Sequence, residues 1–492
     1  MNSKSGLFQA LALLYLVFTL PGCKQELTTT LLSTQTQAVL APSTTPFPLP
    51  TSSPSPTPSV NPSPIPTPTP TLALPTDGGD VTLGMGINIH FVDDPNQEIS
   101  RIAAAGFKIV RMDFVWGWIE TTPGIYDFSA YDRLVAEMVT YGIRPYFIFD
   151  YTNALYDKDA NGHGVSPHTV SGRNAFAQFA TAAALHFLGK NIIWEIYNEP
   201  NGQDAHGNGV FWTPQVNASD YNALAQTVAR AVHSVAPGEI LVGPAAAGKS
   251  GVTDGSFDFN FINSNILAGL LSDWSCVSVH SYRRGNQVPE TVNVQYGQIN
   301  NLIQANSRFA RPICSGEWGY SSTADIDEAT QAKYAARIML INVLNNLPVS
   351  ILYDWRGTPG TTGVELGFDI VHADLTPKPA YNALSTLLHF LQNYAFHGRV
   401  TGVYGTDQND YIGDFRTAMN QAEPKFVAWS ATPGRSVQIK IPGPIAHYRI
   451  TDLMGQIIAD EYSDSSGIAV TMTDSPVFIE ILNPPAGRRL PL

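Results

Sequence analysis

The chain has 492 residues, 44% of them hydrophobic, with 41 acidic against 28 basic side chains and a formal net charge of -13 at pH 7. That length exceeds one ordinary core, so several segments are expected. With no Lys/Arg cluster and no basic-aromatic stripe, nucleic acid is excluded as an expected partner.

The first element is MNSKSGLFQALALLYLVFTLPGC, with one early cation at Lys4 and an apolar stretch from Leu7 to Leu20. About 14 apolar residues fall short of the roughly 20 needed to cross a bilayer, so residues 1–23 read as an export signal rather than a membrane span. Its end, Leu20-Pro21-Gly22-Cys23, resembles the lipobox of bacterial lipoproteins, which implies lipidation of Cys23 and a place at the cell surface or the periplasmic face of a membrane. Residues 24–80 are dominated by Thr, Ser and Pro and read as an unfolded linker. An extended linker of this kind spans on the order of 150 Å.

From Val81 short β-branched or aromatic runs alternate with stretches of helical period. The expected strands are 84–91, 108–116, 144–151, 191–198, 239–245, 274–282, 312–320 and 350–355. Amphipathic stretches lie between them at 131–142, 174–189, 218–236 and 328–346. Eight such pairs predict a (β/α)8 TIM barrel over 81–395, of the α/β class. Cys276 and Cys314 fall inside apolar runs, as buried thiols would; spacing does not tell whether they pair. From 396 to 492 runs such as KFVAWS, SVQIKI and VFIEIL predict a small C-terminal β-sandwich with a structural role.

A barrel of this type gathers the polar residues at the carboxyl ends of its strands into one pocket. Those residues are Arg111, Asp150, Tyr151, Asn198, Glu199, His280, Tyr282, Glu317 and Trp355. Glu199 and Glu317 lie on the fourth and seventh strands, so they face one another across the mouth. Two carboxylates with polar and aromatic neighbours are what glycosidic cleavage needs: one protonates the leaving oxygen and the other attacks the anomeric carbon. Each residue taken alone has a plainer use, as a helix cap, an ion-pair partner or a core histidine. No HExxH, paired CxxC or G-x-S-x-G occurs, so neither a metal nor another cofactor is expected.

YNEP with Glu199, VHSY, GEWGY with Glu317, RMDFVW and YDW together resemble the retaining glycoside hydrolases of clan A. WGWIETTPGIYDFSAYD, FDYTNALYD and TPKPAYNAL sharpen the resemblance to family 39 and neighbouring cellulase-like families. It implies Glu199 as acid/base and Glu317 as nucleophile. Asn198 would hold the sugar 2-hydroxyl, Arg111 would keep Glu317 ionised, His280 and Tyr282 would orient Glu317, and Trp355 would form the floor under the sugar. Asp150 and Tyr151 join the substrate-binding set, with Tyr156 and Trp212 as sugar platforms in the third and fourth loops. Trp116, Trp118, Tyr126 and Phe128 read as packing, and Glu120 as a structural hydrogen-bonding group.

The expected activity is endo-hydrolysis of a polysaccharide by a monomer; a non-catalytic surface protein that binds polysaccharide is the alternative. Membrane contact is expected only through the anchor. Cys23→Ser is expected to abolish fatty-acid labelling and release the protein from the membrane fraction, as metabolic labelling and fractionation would read.

Overall fold

The computed structural model describes residues 73–75 and 78–482, apart from 205, 249–256, 284, 286, 324–325, 358–362, 418–422 and 444. The export signal, Cys23 and nearly all of the linker expected over 24–80 lie outside these residues. Among the described residues no helix is long and apolar enough to cross a membrane.

Eight parallel strands close into a barrel in chain order: β1 (Met85–Asn88), β2 (Ile109–Val115), β3 (Arg144–Asp150), β4 (Ile193–Ile196), β5 (Ile240–Ala246), β6 (Val277–His280), β7 (Ile313–Trp318) and β8 (Ser350–Leu352). The strands are shorter than their apolar runs. Except at β5, the run continues past the last ladder bond into a loop, which is how Asn198, Tyr282 and Trp355 come to lie beyond their strands, with Glu199 next in the chain. Helices between the strands follow local signals. Asn217 accepts from the backbone N–H groups of Ser219 and Asp220 and starts Ala218–Val235, while Asp327 caps Glu328–Leu344 through Thr330 N–H. Thr169 caps Val170–His186, so that helix begins four residues before the expected 174.

Inside the barrel the lowest layer is apolar, with Ile109, Tyr146, Ile193, Ile240, Ile351 and their neighbours packed together. Cys276, just before β6, and Cys314, on the adjacent β7, belong to this layer and form a disulfide of 2.09 Å. The larger core lies outside the barrel wall, between strands and helices. This arrangement leaves the upper end of the barrel for polar groups.

Eight antiparallel strands follow the barrel. Six form one sheet in the order β14-β13-β16-β11-β10-β9, comprising Ile457–Tyr462, His447–Thr451, Val477–Leu482, Lys425–Ser430, Asp410–Arg416 and Ala395–Arg399. β12 (Ser436–Ile441) and β15 (Ile468–Thr473) form a second. Alternation along β11 divides the sheet's two faces: Val427 and Trp429 join the barrel's outer core, while Phe426 and Ala428 pack in a second core with Ile439, Ile441 and Val470 of the small sheet. The apolar run RVTGVYG, residues 399–405, stays out of the sheet beyond Arg399. β10, β14 and β15 were not expected, because their Asp, Glu and Thr positions break the apolar run.

The sheet meets the barrel at a buried ionic knot. Glu290 accepts from Arg337 Nε at 2.9 Å and from Trp429 Nε1 at 2.7 Å, and Arg337 Nη1 reaches the carbonyl of Asp474 at 3.3 Å. Arg337 is fully buried, so removing its carboxylate strands a charge. Glu290→Ala is expected to lower stability by about 3–5 kcal/mol. Lys333→Ala, which breaks the partly exposed pair with Asp474, is expected to cost about 1 kcal/mol or less. Urea unfolding monitored by tryptophan fluorescence compares the two.

Candidate active site

The site is built on one buried cation. Arg111, on β2, points into the barrel and is 1% exposed. Its Nε and Nη2 donate to Glu195 Oε2 at 2.9 and 2.7 Å, its Nη1 to Glu317 Oε2 at 2.8 Å and to Asn88 at 3.1 Å, and its Nη2 also to Asn198 Oδ1 at 2.8 Å. Glu195 takes a further bond from Tyr146 at 2.7 Å and another from Ser278. A buried carboxylate and a buried guanidinium each persist only when paired and hydrogen-bonded, and here each satisfies the other.

Above this layer stand Glu199 and Glu317. Glu317 Oε1 accepts from the Tyr282 hydroxyl, and its Oε2 from Arg111. Burial pushes its carboxyl up, but His280, Arg111, the Tyr282 hydrogen bond and His90 together outweigh that and hold it below the ordinary range. His280 Nδ1 lies 2.7 Å from Glu199 Oε1 and 3.8 Å from Glu317 Oε2. Burial alone would lower the basicity of this imidazole, yet Glu317 and Glu199 outweigh it and raise it above the ordinary value, with the ring bridging the two carboxyl groups. The ligating atoms of Glu199, His280 and Glu317 all lie within 4.8 Å of one another. Arg111 supplies positive charge at this point through its bond to Glu317.

Local backbone geometry makes these placements. Tyr197 and Glu199 both adopt left-handed φ, 69° and 43°, so the chain turns sharply as it leaves β4. Asn201 fixes the turn by exchanging bonds of 3.0 and 2.9 Å with the backbone of Ala247. Gly316 is required by close approach: a Cβ there would collide with Ser278 and press on Glu195.

The structure therefore brings together Arg111, Asn198, Glu199, His280, Tyr282 and Glu317. His280 contacts Glu199 more closely than Glu317, which reverses its expected emphasis. Trp355 is fully buried, with its Nε1 donating to Glu98 at 2.8 Å, so the expected sugar floor is a wall of the fold instead. Trp212 is 1% exposed and packs its ring on Tyr197 at 4.9 Å, leaving no free face to act as a platform. Tyr156 stacks on Trp116 and donates to Glu120, which also holds Gly124 N–H at 2.6 Å, so Glu120 is the structural group expected. Trp118 is 60% exposed and does not pack as expected. Asp150 has no exposed surface, so it does not touch a ligand directly, while Tyr151 is buried with its hydroxyl 3.5 Å from Asp113 Oδ1.

Sequence reasoning missed Glu195, His90, Asp113 and Asp354. A Glu inside the apolar run NIIWEIYN signals a buried charge that needs a partner, and Arg111 was the cation to match it. His90, 3.2 Å from Asp354 Oδ2, depends on β1 and β8 closing the barrel, which no local pattern reveals.

Comparison with known proteins follows this geometry. The family model of cellulase, described as glycosyl hydrolase family 5, matches residues 77–358. A beta-xylosidase of Geobacillus stearothermophilus is 23% identical over 290 residues, covering 53% of this chain and 55% of the relative. The chain thus spans about half the length of that curated relative. Among solved structures, a family 39 glycoside hydrolase from Bacteroides cellulosilyticus WH2 superposes with TM-score 0.65 at 21% identity over 81% of each chain. A monomeric beta-xylosidase from Caulobacter crescentus CB15 gives 0.58 at 15% identity, over 84% of this chain and 97% of that one. These structural likenesses establish the shared fold.

Tyr282 is one of the groups that keep Glu317 ionised, and its removal has a directional consequence. In Tyr282→Phe the Glu317 carboxyl is expected to titrate at higher pH than in the unsubstituted protein, read by carbon-13 NMR of labelled glutamate. A lowered carboxyl adds stability above its unfolded titration range and loses it as the pH falls through the folded one. The variant should therefore lose stability at neutral pH and little at pH values below both ranges.

Proposed function

The chain belongs to the cellulase family, glycosyl hydrolase family 5, and from that premise we propose that it is a retaining β-glycosidase that cleaves a polysaccharide within the chain. The observation that carries this reading is the spacing of the two glutamates, which bring an oxygen of each within 4.8 Å. Retaining enzymes hold their carboxyl groups about 5–5.5 Å apart, whereas inverting ones leave roughly 6.5 Å or more for a water.

In this reading Glu317, ionised beside Arg111, attacks the anomeric carbon while Glu199 gives a proton to the leaving oxygen. The covalent glycosyl ester on Glu317 is then hydrolysed by a water that Glu199 deprotonates. His280, bonded to Glu199, orients that carboxyl in both steps. Asn198, whose Oδ1 is fixed by Arg111, turns its amide donors toward the sugar 2-hydroxyl, where a bond can strengthen in the transition state.

For the substrate, the beta-xylosidase relative and the beta-xylosidase structure support a β-linked xylan backbone, and the cellulase family a β-glucan. Internal cleavage is supported by the third and fourth loops, which are glycine-rich and of moderate length. The site residues of this mechanism are Glu199, Glu317, Arg111, Asn198, His280 and Tyr282. Export and a lipid anchor at Cys23 complete the proposal, with the C-terminal strands bracing the barrel.

Glu317→Ala is expected to lower kcat on the order of 10⁴-fold or more. Added azide should restore turnover with inverted configuration, because the anion enters from the vacated face. Glu199→Ala with azide should give product of retained configuration. Proton NMR of the products decides, and an inverted product from the unsubstituted enzyme would refute the retaining pair. Release of monosaccharide alone from a long chain at early times would refute internal cleavage.

A further inference from the structure

We infer that Asp113 is a further sugar-binding, specificity-determining residue of this pocket, held in place by the buried Asp150, and that it selects a hydroxyl-bearing glycone against one carrying a carboxylate. The inference rests on reading Glu199 and Glu317 as a glycosidase pair.

Strand register places the two aspartates. β2 and β3 pair with Arg111 opposite Tyr146, Asp113 opposite Ile148 and Val115 opposite Asp150. Side chains alternate along a strand, so Asp113 shares a face with Arg111, and Asp150 shares one with Tyr146. Arg111 and Tyr146 meet on Glu195 inside the barrel. Asp113 and Asp150 therefore line the same inner wall, nearer the mouth.

Their environments differ. Asp150 has no exposed surface, and neither of its carboxyl oxygens finds a donor in the protein. Asp113 keeps part of its surface open and lies within hydrogen-bonding range of Asp150. Two touching carboxylates, one of them sealed from water, do not both ionise. Burial first and Asp113 second raise the proton affinity of Asp150, so its buried carboxyl favours the protonated form. A protonated Asp150 is a donor for Asp113, the member of the pair that reaches the pocket surface.

His90 ties this pair to the catalytic end. It pairs with Asp354, packs edge-on against Tyr353 at 5.4 Å, and lies within electrostatic reach of both Asp113 and Glu317. The second oxygen of Asp354 is likewise buried without a donor. The wall formed by β8, β1, β2 and β3 thus presents acceptors. Arg111 is matched to Glu195 and Glu317, His280 to Glu199, and His90 to Asp354. Hydroxyl groups donate to such a wall. A uronate adds another negative charge and meets, in Arg111, a cation already paired with two carboxylates.

The test uses the full-length enzyme with an activated aryl β-glucoside and the aryl β-glucuronide that differs from it by a carboxylate at C6. The expected ratio of kcat/KM favours the glucoside on the order of 10²-fold or more. Asp113→Asn should lower glucoside turnover, mainly through KM, and spare the glucuronide, so that the ratio shrinks at least tenfold. Asp150→Asn retains a donor to Asp113 and should keep the ratio, whereas Asp150→Ala should lose it. General damage to the fold would lower both substrates together, and thermal melting of each variant monitors it. A glucuronide cleaved as well as the glucoside, or a ratio unchanged in Asp113→Asn, overturns the inference. Full activity in Glu317→Ala would instead overturn the glycosidase reading on which it rests.

Discussion

The upper half of the barrel depends on the ion pair between Arg111 and Glu195. Both groups are essentially without exposed surface, and a lone charge at either position would cost several kcal/mol. The pair is stable because its remaining bonds are used: Tyr146 and Ser278 complete Glu195, while Asn88, Asn198 and Glu317 complete Arg111. Those partners come from β1, β3, β4, β6 and β7 or the loops that follow them. One guanidinium therefore sets the relative heights of most of the strands that carry the site.

Its geometry also separates the duties of the two glutamates. Glu195 takes the Nε and Nη2 of the guanidinium, whereas Glu317 takes Nη1. A single fork contacting two carboxylates is a role that a lysine point charge fills poorly. The same fork also holds Asn198 Oδ1.

Legibility followed locality. The eight strand runs and the main helices were visible because an apolar period and a cap act within a few residues, as with Asn217 and Asp327. Glu199 and Glu317 were visible because they break apolar runs at the barrel end where polar groups belong. Trp212 and Trp355 were misread because an aromatic in a loop looks the same in sequence whether its face is free or covered. Covering required Tyr197 in one case and the Glu98 helix in the other, both set by chain closure. The strands β10, β14 and β15 were hidden by polar alternation, since each buries only part of one face.

The C-terminal sheet bears on the site through the barrel's eastern flank of helices rather than through the pocket. Trp429 of β11 and Arg337 of the helix Glu328–Leu344 converge on Glu290, in the short turn before the helix Val292–Asn306. That turn and that helix join β6 to β7, the strands that end in His280 and Glu317 and that the disulfide ties at their lower ends. The β6–β7 unit is thus clamped at its base by a covalent bond and along its connecting segment by a buried ion pair. A histidine poised between two carboxylates tolerates little displacement, because its hydrogen bond to Glu199 at 2.7 Å weakens steeply with misalignment. Rigidity is concentrated on the two strands whose end groups must keep that spacing.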